Sequence, residues 1–245
     1  MENQSSVYLI HNLLKMSRRK KKDHSWADIQ ILEPSIPIDK LENEIRKYNP
    51  ASYHAFNELI KIFTEKKINS IIVLGLGDMC TEISARKQIS FILSIIEKFD
   101  IKNIRFYDPI SCKNCNGFLE SKGFHIDSEN LYGQYEASPN SAFFIFHGPH
   151  FLYHNLITTN LTPDKLANIV IIGNSIENSR NLKNSSGFIM GEAFGAGILN
   201  ETMLNFNHDP SFDNTALITA QTENFPPLDN KIWSKRQIII SDGEK

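Results

Sequence analysis

The segment His147-Gly148-Pro149-His150 sets two imidazoles three residues apart across a proline. Histidine changes charge near neutral pH, so either ring could take up a proton, donate a hydrogen bond or ligate a metal. Gly75-Leu76-Gly77-Asp78 contains a Gly-x-Gly pair, which lets a backbone turn tightly and approach a ligand. Asp108 offers a carboxylate able to accept hydrogen bonds from ribose hydroxyls, and Asn174-Ser175 supplies an amide and a hydroxyl. Cys112-Lys113-Asn114-Cys115 is a C-x₂-C pair, with Cys80 the third and last thiol of the chain.

Each set also has a plainer use. The glycine pair departs from a dinucleotide fingerprint: Cys80 stands at the third glycine position, and Asp108 lies 31 residues after Gly77, where about 20 is usual. Asp78 puts negative charge beside any phosphate, which is milder for a ligand with a cationic sulfur such as S-adenosylmethionine. The alternative is a tight turn without a ligand. Zinc sites usually take four ligands, and the candidates to join Cys112 and Cys115 are Cys80, His147 and His150, from separate segments. The thiols therefore read as ordinary reduced cysteines with no metal, although a helix N-terminus at residue 113 would favour redox use. His147 and His150 are the candidate bases, with backbone hydrogen bonding the alternative. Asn174 and Ser175 divide between capping a helix and facing a ligand. No cofactor is specified.

The elements that must position these residues follow from hydrophobic periodicity. Residues 39–67 read as helical, with Asp39 as a cap, a break at Pro50, and Tyr53, Phe56, Leu59, Ile60 and Phe63 on one face. Ser70–Leu74 is a continuous apolar run, as in a strand buried on both faces. A helix over 82–99 follows, then a strand from Ile104 to Tyr107, a helix over 113–122 ending at Gly123, and a short strand from Phe124 to Ile126. Ala142–Phe146 predicts a strand, Pro149 opens a helix to Thr159, 162–167 adds a short helix, and Asn168–Ile172 predicts a fifth strand. Residues 180–210 are irregular and punctuated by Gly187, Gly191, Gly195 and Gly197. Thr215–Ala220 reads as a late strand, and Gln237–Ile240 as a segment pairing at a sheet edge.

Strands alternating with helices predict an α/β fold, a Rossmann-like open, mostly parallel sheet with helices on both faces. Ligands in such sheets bind at the carboxyl ends of the strands. That edge would gather Gly75, Gly77, Asp78, Asp108, His147, His150, Asn174 and Ser175, with a small molecule as the expected ligand.

A net charge of −2 supplies no general attraction to nucleic acid. No apolar run reaches the ~18 residues of a membrane span. An odd, low cysteine count argues against a secreted disulfide framework, so the expected location is the cytoplasm. Residues 1–38 read as a mobile basic tail and linker before a single domain over 39–240. Val7, Ile10, Leu13 and Leu14 keep helical spacing ahead of Arg18-Arg19-Lys20-Lys21-Lys22, a run that fits a solvated tail, a nuclear import signal or a helix resting on a membrane surface. The solvated tail is the commonest use of such a run.

An ordered set of short motifs resembles the sensitivity-to-red-light-reduced (SRR-like) family over about residues 70–216. It comprises Gly75-Leu76-Gly77, Gln88-Ile89-Ser90-Phe91, Tyr107-Asp108-Pro109, Phe118-Leu119-Glu120 before Gly123, Phe146 to His150 with Tyr153 and Asn155, Gly173-Asn174-Ser175, and Phe212-Asp213-Asn214-Thr215-Ala216. Phe151 stands where the family commonly has cysteine, which weakens a family-wide thiol site there. The resemblance implies a regulator in a circadian-clock or light-signalling input, with ties to haem biosynthesis in some lineages, protein partners, and residence in cytoplasm and nucleus. It implies no agreed reaction. The contrasting expectation is an enzyme: a transferase using S-adenosylmethionine or a nucleotide, held by Gly75, Gly77 and Asp108, with His147 or His150 as base.

Overall fold

The computed structural model describes residues 36–179, 189–234 and 237–240. The basic run at 18–22 and the helical pattern before it lie outside the described residues, as does Gly187. Helix α1 (Ile38–Ile45), a 3₁₀ turn (Pro50–Ser52) and α2 (His54–Glu65) lead into the sheet. Pro37, not Asp39, is the residue that enters α1. Asp39 lies in the first turn, where a carboxylate suits the helix dipole.

The alternating part runs β1 (Ser70–Leu74), α3 (Ile83–Phe99), β2 (Asn103–Tyr107), α4 (Lys113–Ser121), β3 (His125–Ile126), β4 (Ser141–Ile145), α5 (His150–Thr159), α6 (Pro163–Leu166) and β5 (Val170–Asn174). Then come α7 (Ile189–Gly195), β6 (Leu199–Met203), a 3₁₀ turn (Pro210–Phe212) and β7 (Thr215–Ala220). The seven strands are ordered β3-β2-β1-β4-β5-β7-β6. The first five are parallel, β7 is antiparallel to β5, and β6 is antiparallel to β7. The order reverses between β1 and β4, which opens a crevice at their carboxyl ends.

The expected α/β sheet with helices on both faces is what the chain forms, and the pleat shows why. Ile71 and Val73 of β1, Ala142 and Phe144 of β4, and Val170 and Ile172 of β5 enter one core with residues of α1 to α4. Their neighbours Ile72, Leu74, Phe143, Ile145 and Ile171 enter a second core with α5, α6 and α7. Side chains alternate along a strand, so strands buried on both faces must be apolar on both, as Ile71–Leu74 of β1 is. The first core closes on an aromatic cluster in which Phe206 and Phe212 stack at 4.1 Å and Phe212 also meets Tyr53, Phe91 and Phe146.

Two expectations are corrected. Residues 180–210, read as irregular, contain α7 and β6. Residues 237–240 do not extend the sheet. The Gln237 carbonyl faces His154 Nε2 at 2.8 Å, and Ile239 exchanges hydrogen bonds with the Asn155 amide. Both partners are on α5, whose polar groups draw this segment to a helix instead of a strand.

Candidate functional site

At the carboxyl end of β1 the chain turns through Gly75 and Gly77, with φ of 65° and 93°. Both values favour glycine. The Gly77 N–H donates to Asp108 Oδ2 at 2.6 Å, and Asp108 Oδ1 accepts from the Ile110 N–H at 2.9 Å. Asp108 is thus a latch between the loops that follow β1 and β2. Burial pushes its pKa up to about 6 against the opposing effect of those two N–H donors. Any ribose hydroxyl would have to use lone pairs left over from this work. Burial likewise raises Glu82, which lines the same hollow.

After β4 the backbone passes through His147 at φ 49°, a left-handed conformation that costs a non-glycine residue about 1–2 kcal/mol. Asn174, at the end of β5, holds it there: its Oδ1 accepts the His147 N–H at 3.0 Å and its Nδ2 donates to the Gly148 carbonyl at 3.2 Å. The His147 Nε2 lies 3.2 Å from the Ser211 carbonyl, which also accepts from Gln88 Nε2 at 2.7 Å. A carbonyl only accepts, so His147 Nε2 carries the hydrogen in this contact. His150 opens α5, preceded by Pro149 at the cap position, and its Nε2 is 3.4 Å from Ser179 Oγ. Tyr153 sends its hydroxyl to the Ile145 carbonyl and accepts the Asn174 N–H at 2.8 Å, binding β4 to β5.

Ser175 is fully buried. Its hydroxyl donates to Glu201 Oε1 at 2.6 Å and accepts the Asn178 N–H at 3.0 Å, while its own N–H meets the Asn214 carbonyl. Glu201 on β6 also receives the Ile176 N–H at 2.6 Å. Sequence reading missed it because β6 itself was not foreseen.

These loops frame two adjoining hollows. A cleft of about 550 Å³ is lined by His147 to His150, Asn174, Asn178, Asp213 and Asn214. A smaller one of about 240 Å³ is lined by Gly75 to Gly77, Glu82, Gln88, Asp108 and His147. His147 and Pro149 border both. The expected edge cluster is therefore real as a juxtaposition, but it splits. Gly75, Gly77 and Asp108 serve the smaller hollow, His150, Asn174 and Ser175 the larger, and His147 stands between. Asp78 lines neither and turns the other way.

There it meets the thiols. Cys80, Cys112 and Cys115, expected as ordinary reduced cysteines, lie together: their sulfurs are 3.3 Å apart for Cys80–Cys112, 3.2 Å for Cys112–Cys115 and 3.6 Å for Cys115–Cys80. The fourth member of the group is Asp78, whose Oδ1 is 3.1 Å from Cys115 Sγ, and not His147 or His150. Loop topology explains this. Asp78 and Cys80 follow β1, Cys112 and Cys115 follow β2, and those strands are parallel neighbours.

The SRR1 domain family matches residues 54–233. The chain is 24% identical over 172 residues to the SRR1-like protein of Drosophila melanogaster, an alignment covering 66% of this chain and 62% of that protein. It is 28% identical over 151 residues to the Arabidopsis thaliana Protein SENSITIVITY TO RED LIGHT REDUCED 1, covering 56% of this chain and 55% of the relative. It is 32% identical over 109 residues to the SRR1-like protein of Mus musculus, covering 42% and 43%. The alignments thus span less than two thirds of each relative's length. The motifs at the two hollows and the family match over most of the chain agree, and the chain belongs to the SRR1 family.

Proposed function

We propose that this protein is a non-catalytic regulator that binds a small metabolite in the cleft at the carboxyl edge of its sheet and passes that state to a protein partner, in the light-signalling or circadian input that its family membership suggests. The name of the Arabidopsis relative supports the regulatory part of this reading. One observation carries the rest. The larger cleft presents exposed hydrogen-bonding groups from the family motifs, His147, Asp213 and Asn214, and among the described residues no closely paired nucleophile and base line it. Ser175 is committed to Glu201, and Ser179 Oγ lies 3.4 Å from His150 Nε2.

A thermal-shift screen against S-adenosylmethionine, NAD, ATP, GTP and haemin tests the reading, with haemin included because the family resemblance implies a tie to haem biosynthesis. A ligand at about 100 times its dissociation constant adds roughly 2.7 kcal/mol of stability. The shift is expected to vanish in His150→Ala and Asp213→Asn, both of which should retain the unliganded melting temperature. Turnover of any substrate that is lost in His150→Ala would overturn the non-catalytic reading.

The strand order favours a second reading, an S-adenosylmethionine-dependent transferase. The order reverses between β1 and β4, a switch point whose crevice at the strand carboxyl ends suits a nucleotide-like cofactor, although fold alone does not supply function. Binding of S-adenosylmethionine but not NAD, together with methyl transfer to a protein or small-molecule acceptor, would establish it. Residence in cytoplasm and nucleus belongs to the same proposal. Replacing Arg18 to Lys22 by alanine is expected to abolish nuclear accumulation of a fluorescent fusion.

A further inference from the structure

Three thiols and a carboxylate meeting at one buried point call for an explanation that the cleft does not provide. The ligand atoms of Asp78, Cys80, Cys112 and Cys115 all lie within 4.8 Å of one another. All three cysteines are buried and unpaired. Their sulfurs, 3.2 to 3.6 Å apart, are too distant for a disulfide at ~2.05 Å. Metal–sulfur bonds of ~2.3 Å at tetrahedral angles would place sulfurs ~3.8 Å apart, a few tenths of an ångström from these separations. We infer that Asp78, Cys80, Cys112 and Cys115 form a structural zinc site that ties the loop after β1 to the loop after β2.

The surroundings suit that role. Cys112 is the N-cap of α4, and its sulfur accepts the Cys115 N–H at 3.4 Å. Asp78 Oδ1 accepts the Cys80 N–H at 3.0 Å and Oδ2 accepts the Thr81 hydroxyl at 3.0 Å, so a backbone N–H and a hydroxyl orient the carboxylate. The Ile36 carbonyl lies over the site, held by Asn114 Nδ2 at 2.9 Å and 3.9 Å from Cys80 Sγ. Without a cation, burial and then the neighbouring Cys112 push the Cys80 thiol up to about 11, and burial followed by the Asp78 carboxylate raises Cys115 as well. A divalent ion reverses this: three S–H bonds break, three metal–thiolate bonds form, three protons leave to solvent, and the ionised Asp78 completes the set.

Four protein ligands close the coordination sphere, which makes the site structural and not hydrolytic. Convergence of all four on one point suits a single ion, and thiolates with one carboxylate suit zinc over magnesium or calcium. The C-x₂-C pair alone could close as a disulfide, but that would leave Cys80 and Asp78 crowded against it without a use.

Elemental analysis of the full chain, purified anaerobically without added metal, is expected to find about one zinc per molecule. Removing it with a chelator and titrating cobalt(II) should give the thiolate-to-cobalt charge-transfer and intense visible bands of a tetrahedral sulfur-rich site, saturating at one equivalent. This readout needs no variant to fold. Asp78→Asn is expected to keep the charge-transfer band and weaken zinc binding ten- to a hundred-fold, and Cys112→Ser with Cys115→Ser to abolish both. Metal-free protein whose apo form gives no cobalt band would overturn the inference, as would an intramolecular disulfide in the anaerobic preparation. The inference stands apart from the metabolite reading, since zinc content can be measured whether or not the cleft binds anything.

Discussion

Ser175 and His154 show how far a residue's type falls short of its role. Ser175 sits at the end of a strand, where a hydroxyl could face a ligand, yet it is committed to Glu201, 26 residues away. Glu201→Gln keeps one acceptor oxygen and turns its NH2 either toward the Ile176 N–H or toward the Glu177 N–H and the Ser175 hydroxyl. It is expected to cost about 1–3 kcal/mol in urea unfolding. His154 attracted no attention in the sequence because it falls on the apolar side of its helix. It is buried between the Ile189 N–H, which donates to Nδ1, and the Gln237 carbonyl, which accepts from Nε2. Burial lowers its pKa despite that carbonyl. The folded protein therefore holds fewer protons at this site than the unfolded chain as pH falls through the ordinary histidine range near 6.5. Stability from His154 is complete above that range and declines below it. Urea midpoints measured between pH 8 and 5 are expected to fall on the acid side, with a smaller decline in His154→Gln. The glycine pair, Asp108 and the two histidines were legible as an edge cluster because each follows an apolar run. What each bonds was not, since its partners come from other strands.

At the scale of elements, apolar runs and turn residues located the buried strands closely. Ser70–Leu74 and Thr215–Ala220 fall where periodicity places them. β5 starts and ends two residues later than the apolar pattern suggests, because Gly173 and Asn174 pair with Ala216 and Thr215 of β7. β6 escaped notice because most of it is exposed or half-exposed: Leu199 is its one buried side chain, so the apolar signal is missing. Gly173 makes a sharp test of the packing between strand and helix. A Cβ there would lie 2.6 Å from the Tyr153 hydroxyl and 2.7 Å from the Ile145 carbonyl, whereas one at Gly195 meets nothing within 4 Å. Gly173→Ala is expected to lose about 1–3 kcal/mol in chemical denaturation. Gly195→Ala is expected to be neutral or to gain up to ~1 kcal/mol.

For the whole molecule, alternation of strand and helix is enough to give the layered architecture, while strand order depends on which loops cross the sheet. The sequence therefore shows that Asp78, Cys80, Cys112 and Cys115 exist but not that β1 and β2 are neighbours, and only that adjacency brings them together. Among the described residues, no helix is long and apolar enough to cross a membrane. The two cores share one sheet, so a defect in either is expected to be felt by both. Phe212→Ala removes a buried ring that touches Tyr53, Phe91, Phe146 and Phe206, and should cost about 3–5 kcal/mol. Calorimetry is expected to show one transition shifted as a unit, not a new early one. That same cluster has a consequence for biosynthesis. Tyr53, Phe91 and Phe146 leave the ribosome well before Phe206 and Phe212, so the nascent chain displays an incomplete aromatic surface until residue 212 has emerged. Closing contacts across such long stretches of chain is slow, and over that interval the half-made protein is a natural client for chaperones.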